Sequence, residues 1–194
     1  MESITGERLI SFLSETKKTT FTTQDLQNAL GFKSRNSLNT ALHRFSKRGW
    51  LIPIGRGIYG NSLKPPQKFE AVTSFVSPSY ISFESALSHW GILSQIPMVI
   101  TAATVKKSRE VSLLNQTIKY IHLKPSLFWG YQKTDEMLMA EPEKALLDSL
   151  YIESKGLTKL TVEELDLNSI NQNKLHDYAR TFPKLCLQKL KFKN

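Results

Sequence analysis

Fifteen consecutive residues concentrate groups that could do recognition chemistry: Ser34-Arg35-Asn36-Ser37-Leu38-Asn39-Thr40-Ala41-Leu42-His43-Arg44-Phe45-Ser46-Lys47-Arg48. They offer guanidinium, carboxamide, hydroxyl and imidazole groups without one carboxylate, and no Asp or Glu occurs from Leu26 to Phe69. Amides and guanidiniums supply the directional donors and acceptors that base edges present in a major groove, while cations grip phosphates without reading sequence. At about 100° per residue, Leu38, Leu42 and Phe45 fall on one stripe, with Ala41 beside them. The opposite side collects Asn36, Thr40, His43 and Lys47, flanked by Asn39 and Arg44. Arg35 and Ser37 occupy the first turn, the part that enters deepest when such a helix docks end-on.

Three elements must hold that face in place. Leu9, Ile10 and Leu13 have the spacing of a first helix, which should end near Lys17-Lys18-Thr19-Thr20. After Phe21, the run Thr22-Thr23-Gln24-Asp25-Leu26-Gln27-Asn28-Ala29-Leu30-Gly31 predicts a second helix of barely two turns. A threonine caps its start, and Gly31 takes the left-handed conformation that ends it. Phe32-Lys33 is then a tight turn, Ser34 the next N-cap, and residues 35 to 47 or 48 a third helix stopped by Gly49. Short helix, glycine turn and longer helix make a helix-turn-helix. Trp50-Leu51-Ile52-Pro53-Ile54 and Ile58-Tyr59 flank Gly55-Arg56-Gly57, which predicts a hairpin with Arg56 at its tip. The expected site therefore has Arg35, Asn36, Asn39, Thr40, His43 and Arg44 as base readers, with Ser34 and Ser37 in the first turn. Lys33, Lys47, Arg48 and Arg56 would neutralise phosphates, joined by Lys17 and Lys18.

Charge distribution agrees with this placement. The chain has 194 residues, 26 Lys+Arg against 17 Asp+Glu, and a formal net charge of +9. Residues 1–68 hold eleven Lys+Arg against four acids, and residues 69–194 fifteen against thirteen. A concentrated basic field attracts polyanions. No run of eighteen apolar residues exists, which argues against a membrane-spanning helix. Met1-Glu2-Ser3-Ile4-Thr5 has no basic-then-apolar leader, so a cytoplasmic location is expected. A single cysteine, Cys186, can form neither an internal disulfide nor a thiolate zinc site.

Asn61-Ser62-Leu63-Lys64-Pro65-Pro66-Gln67-Lys68 reads as a boundary, because its two prolines disfavour helix and strand pairing. The expected organisation is a winged helix-turn-helix over 1–62, a linker over 63–68, and a mixed α+β domain over 69–194 with a helical C-terminal tail. In the second domain, Ser82 should cap a helix running to Trp90 and Gly91, and Met98–Val105 is β-rich. Thr117–Leu123 alternates like a half-buried strand, Leu127–Tyr131 looks like an edge or turn, and Glu141-Pro142-Glu143 opens a further helix. The fold class is α/β in the broad sense, more narrowly α+β.

Other chemistry finds little support. Glu84, Glu141, Glu143 and Asp148 could pair as metal-binding or proton-moving carboxylates. However, Glu141 and Glu143 suit a helix start, and Asp148 lies one turn beyond Lys144, where an ion pair is expected. His43, His89, His122 and His176 are scattered, without a second ligand at metal spacing. No phosphate loop, dinucleotide fingerprint or nucleophile motif appears. The chain is therefore read as a non-enzyme, with no catalytic residue, metal or cofactor. Leu175, Tyr178, Ala179 and Phe182 give the tail an amphipathic pattern, followed by Lys184, Lys189, Lys191 and Lys193.

The order Tyr80-Ile81-Ser82-Phe83-Glu84-Ser85-Ala86-Leu87, then Trp129-Gly130-Tyr131, then Ala140-Glu141-Pro142-Glu143-Lys144-Ala145-Leu146-Leu147-Asp148 resembles the AbiEi family. These are antitoxins and transcriptional regulators of type IV toxin–antitoxin, or abortive-infection, systems of phage defence. The resemblance runs from the N-terminal module to about residue 155. It implies a repressor that binds inverted repeats in double-stranded DNA near its own promoter. It also implies a second domain that opposes a nucleotidyltransferase-like toxin without a stable complex. The alternative is a stand-alone winged-helix regulator or docking module with no toxin.

Overall fold

The computed structural model describes residues 2–134, 137–160 and 164–188, and the chain forms two compact units, 1–75 and 76–194. In the first, α1 (Glu2–Glu15), α2 (Thr23–Leu30) and α3 (Arg35–Lys47) surround one core. Leu9, Leu13, Phe21, Leu26, Leu30, Leu38, Ala41, Leu42, Phe45 and Leu51 are buried together, with Phe12, Phe32, Trp50 and Tyr59 packed against them. The stripe read from the sequence of α3 is the face it buries: Leu38, Ala41, Leu42 and Phe45.

Helix boundaries follow local chemistry. Thr22 caps α2 reciprocally. Its hydroxyl accepts from the Asp25 amide at 3.0 Å, while the Asp25 carboxylate accepts from the Thr22 amide at 2.8 Å. Such a box satisfies two otherwise orphaned N–H groups. Burial alone would push the Asp25 carboxyl up, but the Thr22 hydrogen bonds and the Lys18 ammonium outweigh it and hold it below its ordinary value. Gly31 ends α2 at φ 71°, donating to the Gln27 carbonyl at 3.0 Å. Ser34 occupies the N-cap position of α3, yet its side chain makes no capping hydrogen bond.

The wing is a three-stranded sheet in the order β1–β3–β2, built from β1 (Thr20–Thr22), β2 (Leu51–Gly55) and β3 (Ile58–Asn61). β3 pairs antiparallel with both neighbours. The turn itself is Arg56–Gly57, with Gly57 at φ 77°. Buried Asn61 fastens the far end. Its amide donates to the Leu13 carbonyl at 2.9 Å, and its oxygen accepts from the Leu63 amide at 2.9 Å.

The proline-rich stretch does not end the first unit. It leads into α4 (Lys68–Phe75), which belongs to that unit. Glu70 of α4 accepts a hydrogen bond from the Thr19 hydroxyl, and the Ser74 and Thr20 hydroxyls lie 3.0 Å apart. The break in packing therefore falls between Phe75 and Val76, whereas composition alone placed the change at 63–68.

The second unit is built on a six-stranded mixed sheet in the order β6–β7–β5–β4–β9–β8. Its strands are β4 (Ser79–Ile81), β5 (Ile100–Thr104), β6 (Arg109–Leu113), β7 (Gln116–His122), β8 (Tyr131–Thr134) and β9 (Met137–Ala140). The β4–β9 and β5–β7 pairs are parallel, and the other pairs are antiparallel. Its helices are α5 (Phe83–His89), α6 (Pro142–Ser154) and α7 (Gln172–Ala179). α6 starts as the sequence predicts, with Glu141 at the N-cap position and Pro142 in the first turn. Among the described residues, no helix is long and apolar enough to cross a membrane.

Candidate nucleic-acid interface

The face opposite the buried stripe of α3 is open. Arg35, Asn36, Ser37, Asn39, Thr40, His43 and Lys47 are all exposed, as are Lys33, Ser34 and Arg48 at its ends. Two of these groups have partners within the helix region. The Thr40 hydroxyl donates to the Asn36 carbonyl at 3.0 Å, and the Arg48 guanidinium lies over the Trp50 ring at 5.3 Å. Arg44 departs from the outward set. It is only half-exposed, and its guanidinium lies 5.5 Å from the centre of the Phe45 ring, so its stem is part of the packing. Because Ser34 leaves the first N–H groups of α3 uncapped, they remain donors for an anion at the positive end of the helix.

Arg56 stands exposed at the wing turn, and that turn is anchored. The Gly57 carbonyl accepts from the Thr23 amide at 2.9 Å and from the Thr23 hydroxyl at 3.2 Å, which ties the tip of the wing to the first residue of α2. Lys17 and Lys18 are exposed, but Lys18 lies 3.8 Å from Asp25 and is partly neutralised there. Sequence reasoning passed over one cation: the Arg8 guanidinium sits 3.7 Å from where a Cβ on Gly31 would lie, beside the helix-turn-helix corner. No helical periodicity marks Arg8, because only the docking of α1 on α2 brings it there.

In the second unit, the segments singled out by resemblance meet at one point. Lys144 and Asp148 of α6 form a fully buried ion pair, 0% exposed on both sides. Lys144 also donates to the Tyr80 hydroxyl at 2.9 Å; Tyr80 and Ser82 donate in turn to the Asp148 carboxylate at 3.0 and 2.8 Å. Ser82 therefore holds the N-cap position of α5 but spends its hydroxyl on Asp148. The Lys144 ammonium lies 5.3–5.4 Å from the Tyr80, Trp129 and Phe182 ring centres. Gly130, at φ 70°, presses on the lysine stem so closely that a Cβ would come within 3.0 Å of it. Burial pushes Lys144 down and Asp148 up, each partly restored by the other's charge, and it pushes the Tyr80 hydroxyl far up so that it stays a donor.

The remaining acids are also engaged. Glu141 accepts from the Tyr178 hydroxyl at 2.6 Å and pairs with Lys174 at 3.1 Å; Glu143 accepts from the Asn171 amide at 2.9 Å. These carboxylates fasten α7 to the start of α6. Cys186 is buried, with its thiol donating to the Pro183 carbonyl at 2.9 Å, and Lys189, Lys191 and Lys193 lie outside the described residues. Among the described residues, no group of three His, Cys, Asp or Glu could hold a metal ion.

Three helices, the third with an open polar face, and a strand-anchored wing define a winged helix-turn-helix fold. Residues 7–62 match the family described as "Transcriptional regulator, AbiEi antitoxin". The matched span runs from α1 to the end of the wing sheet and leaves the second unit outside it. Among solved structures, the crystal structure of the RV2827C protein from Mycobacterium tuberculosis has a similar fold. The TM-score is 0.58 at 16% identity, covering 95% of this chain and 74% of that one. The chain matches no curated protein.

Proposed function

We propose that this protein is a DNA-binding repressor of its own operon and the antitoxin of a type IV toxin–antitoxin pair, opposing a nucleotidyltransferase-like toxin. The observation that carries the reading is the open face of α3, which has no acid and stands beside an uncapped helix start. Arg35, Asn36, Ser37, Asn39, Thr40 and His43 read base edges from the first turns of α3. Arg44 contributes its guanidinium from a stem fixed on Phe45. Lys33, Ser34, Lys47, Arg48 and Arg56 hold phosphates and set the register. Two copies on an inverted repeat near the promoter would give a two-fold operator. The protein needs no catalytic residue, metal or cofactor for this role, and it acts in the cytoplasm.

A footprint on the gene's own upstream region tests the DNA reading. Protection of two half-sites is expected, and it should disappear when Arg35 and Asn36 are both replaced by alanine. Unchanged operator binding by that double variant overturns the docking scheme. Co-expression with a nucleotidyltransferase-like neighbour tests the antitoxin reading, and growth rescue is expected. The family match is confined to residues 7–62, which favours a second reading: a stand-alone regulator whose second unit serves another purpose. A footprint without rescue would select it.

A further inference from the structure

The near-neutral charge of the second unit conceals a division. Residues 85–134 hold six Lys and Arg against one acid, whereas the remaining residues of 76–194 hold nine against eleven. Topology gathers four of those six cations at one end of the sheet. β5 and β7 run parallel, with Thr104 opposite His122. Lys106 and Lys107, just past β5, therefore emerge at the same end as Lys124, just past β7. β6 runs antiparallel to β7 and pairs Arg109 with Tyr120, so it starts at that end too. Lys106, Lys107, Ser108, Arg109, His122 and Lys124 are all exposed.

The loop between β5 and β6 is pinned to the end of β7. The His122 amide donates to the Ser108 hydroxyl at 2.9 Å, and the His122 ring donates through Nδ1 to the Lys106 carbonyl at 3.1 Å. The Lys106 amide donates to the Thr104 hydroxyl at 3.2 Å, and the Leu123 amide to the Thr104 carbonyl at 2.8 Å. Both strand ends are thereby stitched together, and the lysines project from a fixed backbone. The Arg109 guanidinium lies 5.8 Å from the centre of the Tyr120 ring. A surface already ordered loses less entropy when it binds.

No carboxylate answers these lysines. Among the described residues, Lys106, Lys107 and Lys124 form no ion pair. Glu110, the one acid of residues 85–134, is paired in register with Lys119, on the sheet face opposite Arg109. This end of the sheet also lacks an apolar anchor. The exposed Ile96, Met98 and Leu114 precede β5 and β7, at the other end. A protein partner is ordinarily gripped through a buried apolar or aromatic centre. Cations without one suit a phosphate backbone, which is held by charge alone.

We propose that Lys106, Lys107, Arg109 and Lys124 hold the phosphate backbone of duplex DNA, as a second contact surface separate from α3. The choice of DNA rests on the reading of the first unit as a DNA-binding module. Only residues 76–78 separate α4 from β4, so a duplex engaged by one unit stays concentrated near the other. The surface reads no sequence and adds affinity for DNA that flanks a half-site.

Anisotropy titrations of the full chain at several salt concentrations test this, using a duplex limited to one half-site and one extended by scrambled flanks. The extended duplex binds more tightly and with the steeper salt slope. Replacing Lys106→Ala together with Lys107→Ala reduces that slope by about 2 and removes the gain from the flanks, while affinity for the short duplex is unchanged. Lys159→Ala with Lys184→Ala removes the same charge elsewhere in the unit and leaves both duplexes unaffected. A fully scrambled long duplex separates the two readings. If α3 reads no operator, operator and scrambled duplexes bind alike, yet the loss from Lys106→Ala and Lys107→Ala persists on both. Wild-type behaviour of that double variant on the extended duplex overturns the proposal. So does an equal loss on the short duplex, an equal loss from the control pair, or a loss confined to an RNA duplex of the same length.

Discussion

Helices α3 and α6 are each 13 residues long, and they treat polar side chains in opposite ways. α3 buries four residues, all apolar, and leaves its polar side chains exposed except for half-buried Arg44 and Ser46. α6 buries ten, among them Glu143, Lys144 and Asp148. In α3 the polar groups remain available for a partner because the fold makes little use of them. In α6 they are consumed, because each charged atom taken out of water must find its counter-charge and hydrogen bonds inside the chain. A lysine in the sequence is thus no guide to function until its surroundings are known. Lys47 is open to solvent, whereas Lys144 is enclosed by Asp148 and the rings of Tyr80, Trp129 and Phe182.

The largest effect expected from breaking this contrast lies in α6. Asp148→Leu alone leaves Lys144 buried without its counter-charge and should cost about 3–5 kcal/mol, measured by urea unfolding. Adding Lys144→Met should recover much of the loss, since an apolar pair no longer has to be neutralised. Failure of the double variant to recover would show that Tyr80 and Ser82 need the charges for their own hydrogen bonds.

Substitutions in α3 should leave stability almost unchanged and act on binding instead. Asn36→Ala should cost about 1–3 kcal/mol of operator affinity and relax specificity at one base pair. Arg56→Ala should weaken all sequences alike and reduce the salt slope by about 1. Gel-shift titrations at several salt concentrations on operator and scrambled duplexes separate the two. Equal effects on both duplexes from Asn36→Ala would move that residue from the base readers to the phosphate grip.

The smallest effect belongs to the cap that aims the helix-turn-helix. Thr22→Ala should lose about 1 kcal/mol, seen as a lower melting temperature at neutral pH. Asp25 sharpens this with acid. Its carboxyl is held below 3.8 in the folded chain, so the stability it adds is present above that value and fades as pH falls through the lowered folded value. Asp25→Asn should therefore flatten the acid limb of the stability curve, and an unaltered limb would remove Asp25 from the account.

Local signals carried much of the first unit. Gly31 and Gly49 stop α2 and α3 where the sequence places them, Thr22 caps α2, and Leu38, Leu42 and Phe45 define a buried face through simple helical geometry. β1 was not legible, since three residues are too few for an alternating pattern and Thr20–Thr22 is a strand only because β3 lies beside it. α4 hid behind two prolines that look like a linker. Its place in the first unit depends on Glu70 and Ser74 finding Thr19 and Thr20, about fifty residues earlier.

What the sequence determined by itself was therefore helix α3 with its buried and open faces, the turn before it and the hairpin after it, because caps, glycines and a 3.6-residue period act over neighbours within a few residues. Tertiary structure alone decided that Arg44 lies along Phe45 and that Arg8 reaches the helix-turn-helix corner. It also decided that Tyr80, Ser82, Gly130, Lys144 and Asp148 enclose one charge pair. Desolvation and close packing depend on which surfaces meet, and residues sixty positions apart carry no local mark of that meeting.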